Sequence, residues 1–326
     1  MTNPNLNNRV AVVIPAYKVT SQIVDVILNI PPIVWRIYVV DDACPDGSGR
    51  HVRMNVEDDR VRVIIHEQNQ GVGGAVMSGY QSAITDGADV IVKIDGDGQM
   101  DPNLIPHFIL PILEGEADYT KGNRFYDLEE ICTMPAIRLL GNAALSFMTK
   151  LSSGYWDLMD PTNGFTAIHA EVAKRLPFQK ISRRYFFETD MLFRLNTIRA
   201  VVADVPMDAK YGKGVSNLRI SKILGEFLFK HTRNYFKRIF YNYYLRDLSL
   251  ASLELPLGCI LIIFGTLFGG YHWLKSAQLH VPTPVGTVML AAMSFLVGLQ
   301  LLLASVGQDI ASVPKRPLHR KLIRKL

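Results

Sequence analysis

The chain has 326 residues, with 35 Lys+Arg against 30 Asp+Glu, a net charge of +5 and three cysteines. That length accommodates one large α/β domain and an added module. Cys44, Cys132 and Cys259 lie far apart with no Cys-x-x-Cys, which excludes a disulfide framework and a zinc site and fits a reducing compartment. Met1 to Asn8 is polar, so no secretory signal is expected.

In chain order, residues 9–15 read as a buried strand, 21–30 as a helix, 35–42 as a second strand and 62–66 as a third. Residues 73–86 suit a helix, and 89–94 a fourth strand running into Asp95-Gly-Asp97-Gly-Gln99. Strands alternating with helices predict an α/β domain with a mainly parallel sheet covered on both faces. Ligands of such sheets bind at the carboxyl ends of strands. Pro15-Ala16-Tyr17, Asp41-Asp42 and Asp95 all fall at such ends. Asp95, Asp97 and Gln99 can fold around one hard cation, since oxygen ligands suit Mg2+ or Mn2+, and such a cation grips a diphosphate. A solvated acidic turn is the plainer reading of the same residues.

Gly71-Val-Gly73-Gly74-Ala75 opens its helix after a gap at residues 67–70, not on the tight turn that a dinucleotide fingerprint needs. Either its glycines let backbone approach a nucleotide or pyrophosphate, or they serve helix packing.

The basicity is local. Lys230, Arg233, Lys237, Arg238 and Arg246 lie in one acid-free segment, and Lys315, Arg316, Arg320, Lys321, Arg324 and Lys325 in another. These exceed the whole net charge, so the remainder is net acidic. Between them lie apolar runs over 248–273 and 284–306, each near the ~20 residues that span a hydrocarbon core. The loop between the runs holds only Lys275, so the positive-inside rule places both flanks in the cytoplasm. Residues 230–247 alternate cations with aromatics, as in a helix lying at a bilayer surface and not one binding nucleic acid. The expected organisation is a cytoplasmic domain over 1–229, this juxtamembrane helix, a two-helix transmembrane hairpin, and a basic tail over 307–326. Gly258, Gly265 and Gly269 would let such helices associate, including in a homo-oligomer.

Four motifs now stand in order: Val12-Val-Ile-Pro15-Ala16-Tyr17, Val39-Val-Asp41-Asp42, Asn69-Gln-Gly71-Val-Gly-Gly-Ala75 and Asp95-Gly-Asp97-Gly-Gln99. Together they resemble the GT-A fold of family 2 glycosyltransferases. Lys121-Gly-Asn-Arg124-Phe and Asp160-Pro-Thr-Asn-Gly164-Phe resemble the dolichyl-phosphate mannose synthase branch, and the hairpin resembles bacterial polyprenyl-phosphate glycosyltransferases. The resemblance implies inverting transfer from a UDP- or GDP-linked sugar to a polyprenyl phosphate, undecaprenyl or dolichyl, at the cytoplasmic membrane face. It implies Asp42 at the nucleobase with Pro15, Ala16 and Tyr17, Gly71 and Asp95 on the donor, and Asp95, Asp97 and Gln99 on Mg2+ or Mn2+. Arg124 and Arg138, with Lys210 and Lys213, are candidate grips on the acceptor phosphate, since guanidinium forks onto phosphate. Asp160 and Asp190 compete as base candidates, although an anionic acceptor needs neither. Lys18-Val19 replaces the usual Asn-Glu, which leaves the nucleobase contacts open, and no Gln-x-x-Arg-Trp appears, which argues against a processive polysaccharide synthase. Transfer to a hydroxyl of a lipid-linked glycan, and a non-catalytic membrane scaffold binding nucleotide sugar, are the competing readings.

Overall fold

The computed structural model describes residues 8–126, 136–208 and 220–323, apart from the side chains of 136–138, 220–224 and 323. Cys132, Lys210, Lys213 and the side chain of Arg138 therefore lie outside the described residues. The chain divides into two compact units, Met1–Tyr235 with Pro314–Leu326, and Phe236–Val313.

The first unit is built on a seven-stranded sheet: β1 Val10–Ala16, β2 Val34–Asp41, β3 Val61–Ile65, β4 Val90–Lys93, β5 Tyr119–Asn123, β6 Thr166–His169 and β7 Val202–Pro206. The strand order is β3-β2-β1-β4-β6-β5-β7. β6 runs antiparallel to β4 and β5, and the other neighbours are parallel. The α/β expectation of a mainly parallel sheet holds. Its exception, β6, reverses the chain so that the loop before β6 arrives at the same edge where β1, β2, β4 and β5 end.

Helices α1 Ile23–Leu28, α2 Ser48–Asn55, α3 Val72–Thr85, α4 Ile105–Leu113, α5 Ala136–Ser153, α6 Ala170–Ala173, α7 Phe187–Thr197 and α8 Ile220–Phe240 follow the strands or close the unit. β1 and β4 are buried on both faces, which is why their sequences run apolar without alternation. On one face Phe108 of α4 stacks on Phe165, with ring centroids 3.8 Å apart. On the other, α3 lies so close that a Cβ at Gly79 would come within 2.3 Å of the Val13 side chain.

At the opposite edge the chain end returns to this unit. Buried Asp118 accepts from the backbone N–H of Val201 (2.8 Å), Leu318 (2.7 Å) and His319 (2.9 Å), and pairs with His319 Nδ1 at 2.7 Å. The His319 ring stacks on His169 at 4.4 Å. The short helix α11, Leu318–Ile323, is thus pinned to the domain, where the sequence suggested only a basic tail.

The second unit carries α9 Ala251–Leu279 and α10 Val285–Ala311, helices of 29 and 27 residues long and apolar enough to cross a membrane. At 1.5 Å per residue each extends about 40 Å. They meet through small residues: a Cβ at Gly258 would lie 2.9 Å from the Gly298 carbonyl oxygen, and one at Gly298 2.8 Å from that of Gly258. Asp309 near the end of α10 takes both arms of Arg238 (2.6 and 2.9 Å) and the Tyr243 hydroxyl (2.6 Å). Removing one partner of a buried pair of this kind costs about 3–5 kcal/mol.

His231 on α8 is buried against Phe186 and bonded to Ser152 Oγ at 2.8 Å, while its Nε2 has no hydrogen-bond partner. Burial pushes its pKa down from 6.5 to about 4. The unfolded chain then takes up a proton that the folded chain refuses. This contribution to stability is full above pH 6.5 and is lost as the pH falls towards 4, withdrawing up to about 3 kcal/mol. His231→Gln is expected to flatten part of the fall in unfolding free energy between these pH values, read by urea titration of the detergent-solubilised protein. An unchanged slope would place the acid sensitivity elsewhere.

Candidate functional site

Strands β1, β2, β4 and β5 deliver their carboxyl ends to one edge, with the 160–165 loop entering β6 beside them. At β1, Pro15 and Ala16 lead to Tyr17, which is exposed, with Lys18 Nζ 5.7 Å from its ring centre. Lys18 holds a φ of +58°, and its N–H donates to Cys44 Sγ at 3.1 Å.

The two acids at the end of β2 organise loops. Asp41 accepts from Cys44 N–H (2.7 Å) and Gly49 N–H (2.6 Å). Asp42 is buried and accepts from the N–H groups of Gln70 (2.8 Å) and Gly71 (2.7 Å), with His66 Nδ1 at 2.8 Å. Asp42 therefore shapes the 66–71 segment. The N–H of Gly71 is taken by Asp42, and a Cβ there would meet the Arg183 carbonyl at 2.4 Å, in a backbone with φ +83°. The Arg183 carbonyl also accepts from Gly73 N–H at 2.8 Å. The glycines at the start of α3 serve packing against the 182–184 segment, and that helix end is already capped by protein. A cavity of about 680 Å³ lies between the 65–70 segment and Arg183 and Arg184.

After β4, Gly96 packs beneath Val19 and Ile14, and Gly98 turns the chain with φ +74°. Asp97 stands at the exposed crest and accepts from Gln99 N–H at 3.1 Å. Partial desolvation at the turn, and secondarily the charge of Asp95, push its pKa above the usual carboxylate value. Asp95, Asp97 and Gln99 share the turn that follows β4. Among the described residues no group of three His, Cys, Asp or Glu side chains forms a metal cage. Two mutually repelling carboxylates and an amide fit a divalent cation that brings other oxygens with it, the usual habit of Mg2+ with phosphates.

Behind this turn is a cation that the motif reading passed over. Lys93, 1% exposed, places Nζ 2.8 Å from Asp95 Oδ1 and 3.6 Å from Glu188 Oε1. A charged residue inside an apolar β-branched strand was the available signal, because a buried ammonium must have anionic partners. Asp190 is 2% exposed, with Oδ2 accepting from Ser182 N–H (2.9 Å) and Oδ1 from Asn234 (3.1 Å), so it fastens α7 to its surroundings. The acid of the Glu188-Thr-Asp190 pair beside the metal turn is Glu188.

On the neighbouring strand end, fully buried Asp160 grips Arg124 through two bonds, Nε to Oδ2 at 2.7 Å and Nη2 to Oδ1 at 3.1 Å. Burial alone would raise the Asp160 pKa, but the guanidinium holds it below the usual value. Asp160 thus orients Arg124, a role the motif did not suggest. Lys121, also buried, donates to the Asn163 carbonyl, and burial pushes its pKa down to about 8. Asp204 accepts from Met159 N–H at 2.9 Å, and burial pushes its pKa up to about 6.

The profile of Glycosyl transferase family 2 matches residues 11–176. A UDP-N-acetylglucosamine–dolichyl-phosphate N-acetylglucosaminyltransferase of Methanococcus voltae is 31% identical over 213 residues, covering 61% of this chain and 84% of its own. An undecaprenyl-phosphate mannosyltransferase of Micrococcus luteus is 30% identical over 173 residues, covering 52% and 70%. The glucosyl-3-phosphoglycerate synthase of Mycobacterium tuberculosis, solved with UDP, superposes with a TM-score of 0.53 at 19% identity over 72% of this chain and 81% of that one, a likeness of fold. The same synthase solved with Mn2+, UDP-glucose and phosphoglyceric acid gives 0.53 at 20% over the same shares. The match across half of the chain and the two strand-end motifs agree: the chain belongs to glycosyl transferase family 2 and has the GT-A fold.

Proposed function

We propose that the protein transfers a glycosyl group from a nucleoside-diphosphate sugar to a polyprenyl phosphate, with inversion, at the cytoplasmic face of a membrane. The observation that carries this reading is Arg124. Its guanidinium is aimed by a buried carboxylate, beside the acidic turn, in a chain with two helices apolar enough to span a bilayer. The relatives named for dolichyl- and undecaprenyl-phosphate transfer support the same acceptor class.

The donor's nucleoside lies near Tyr17, in the space bounded by the 66–71 segment that Asp42 shapes. Asp95, Asp97 and Gln99 would hold Mg2+ or Mn2+, which when bound neutralises charge on the departing diphosphate. Arg124 orients the acceptor phosphate, and Arg138, Lys210 and Lys213 belong to the same proposal. A phosphate oxygen attacks the anomeric carbon, the bond from that carbon to the diphosphate oxygen breaks, and the nucleoside diphosphate leaves. A phosphate monoester has its second ionisation near pH 6, about where a phosphoserine does, so its oxygen is already anionic and no base need take a proton. That agrees with Asp160 and Asp190 being committed to Arg124 and to Ser182 and Asn234. Residues 1–229 form the catalytic part, 230–247 dock it at the bilayer, and the hairpin keeps both termini cytoplasmic.

The test is release of nucleoside diphosphate by purified full-length protein given polyprenyl phosphate, Mg2+ or Mn2+ and a panel of UDP- and GDP-sugars. Release is expected to require lipid and metal together, and Asp97→Ala is expected to lower it by about 100-fold or more. Release with a lipid-linked glycan but not with polyprenyl phosphate would overturn the acceptor in favour of a hydroxyl. Bound nucleotide without release from any donor would make the chain a scaffold.

Arg124→Lys keeps the charge but loses the fork that meets both Asp160 and a phosphate. It is expected to raise KM for the lipid phosphate by about tenfold, with nucleotide affinity unchanged in calorimetric titration. An unchanged KM would remove Arg124 from the acceptor site.

A further inference from the structure

The buried ammonium of Lys93 has a placement that the transfer reaction alone does not explain. It touches Asp95, a residue assigned to the metal, at 2.8 Å, and so covers one of that residue's two carboxylate oxygens from behind. Its second partner, Glu188 at 3.6 Å, comes from the first turn of α7. Lys93 is buried while the Asp95 carboxylate keeps 31% of its surface exposed. The 160–164 loop closes over the pair, and a Cβ at Gly164 would lie 2.6 Å from Lys93 Nζ and 2.7 Å from Asp95 Oδ2. Met100 closes another side, its Sδ accepting from Asp95 N–H at 3.3 Å.

The consequence is a count of charges and oxygens. Lys93 offsets one of the three negative charges of Asp95, Asp97 and Glu188, with buried Lys121 also within the field of Glu188, and it takes one oxygen of Asp95. A divalent cation meeting the bare turn finds few ligands and a positive charge nearby, whereas one already holding a diphosphate brings its own oxygens.

Resting on the metal and diphosphate reading above, we propose that Lys93 is a positioning residue that makes metal binding conditional on the nucleotide. By covering Asp95 and offsetting its charge, it keeps the turn from capturing free metal, and the cation enters with the donor.

A purely structural role for Lys93 makes the opposite forecast, since damage to the turn weakens metal binding. The experiment titrates Mn2+ into full-length protein in detergent, with and without UDP or GDP, and reads free Mn2+ by electron paramagnetic resonance. Wild type is expected to bind Mn2+ weakly alone and strongly with a nucleoside diphosphate. Lys93→Met is expected to bind Mn2+ about tenfold or more tightly without nucleotide, because a charge repelling the ion is gone and an oxygen is uncovered. Its gain on adding nucleotide shrinks accordingly. The double variant Lys93→Met with Glu188→Gln restores the charge count and leaves the oxygen uncovered. It is expected to fall between the single variant and wild type, and it carries the test if the single variant does not fold. Nucleotide-free affinity that is unchanged or weaker in a folded variant would overturn the role of Lys93. Wild type that takes up no Mn2+ even with UDP or GDP would instead overturn the metal reading on which this role rests.

Discussion

Charge held away from water, each time against an opposite charge, is the constraint on which this domain's working edge depends. Lys93 lies between Asp95 and Glu188, and Asp160 clasps Arg124. A buried charge left alone costs several kcal/mol, so neither group can be removed or rotated cheaply. That cost fixes the side chains before any substrate arrives. The same low dielectric that makes the pairing obligatory strengthens what the exposed ends of these groups do to a bound phosphate.

The pairs also tie motifs together that are far apart in the chain. Gly164, in the loop that carries Asp160, closes over Lys93 and Asp95, at the end of β4 and the start of the acidic turn. Glu188 reaches the same ammonium from α7, and Asp190, two residues further on, bonds Ser182, whose neighbour Arg183 caps α3. Asp42 then orders the segment leading into α3. Donor side, acceptor side and helix packing are thus one connected set of contacts, made possible by β6 running against its neighbours.

Much of this was legible in the sequence, and the failures have physical causes. The apolar runs of β1, β2 and β4, their acidic ends and the turn of Asp95, Asp97 and Gln99 could be read because burial on both faces and strand-end chemistry leave local signatures. The later strands could not, because β5 contains Lys121 and Asn123, polar residues whose burial depends on partners dozens of positions away. Asp42, Gly71 and Asp190 stand in motif positions that suggest contact with substrate, and their contacts with Gln70, Arg183 and Ser182 are ones that local sequence does not record. The docking of His319 on Asp118 joins residues 201 apart across the hairpin, so no pattern within either segment announces it. Lys93 was visible as a charge in a buried strand, but its partners were not.

The central claim is that the atom attacking the sugar is an oxygen of a lipid phosphate. The linkage in the product tests this most directly. Phosphorus magnetic resonance of the purified lipid product, made by the full-length protein with polyprenyl phosphate and the donor it accepts, should show the phosphomonoester replaced by a phosphodiester to the anomeric carbon. A product that keeps its phosphomonoester and carries the sugar on a hydroxyl would contradict the account.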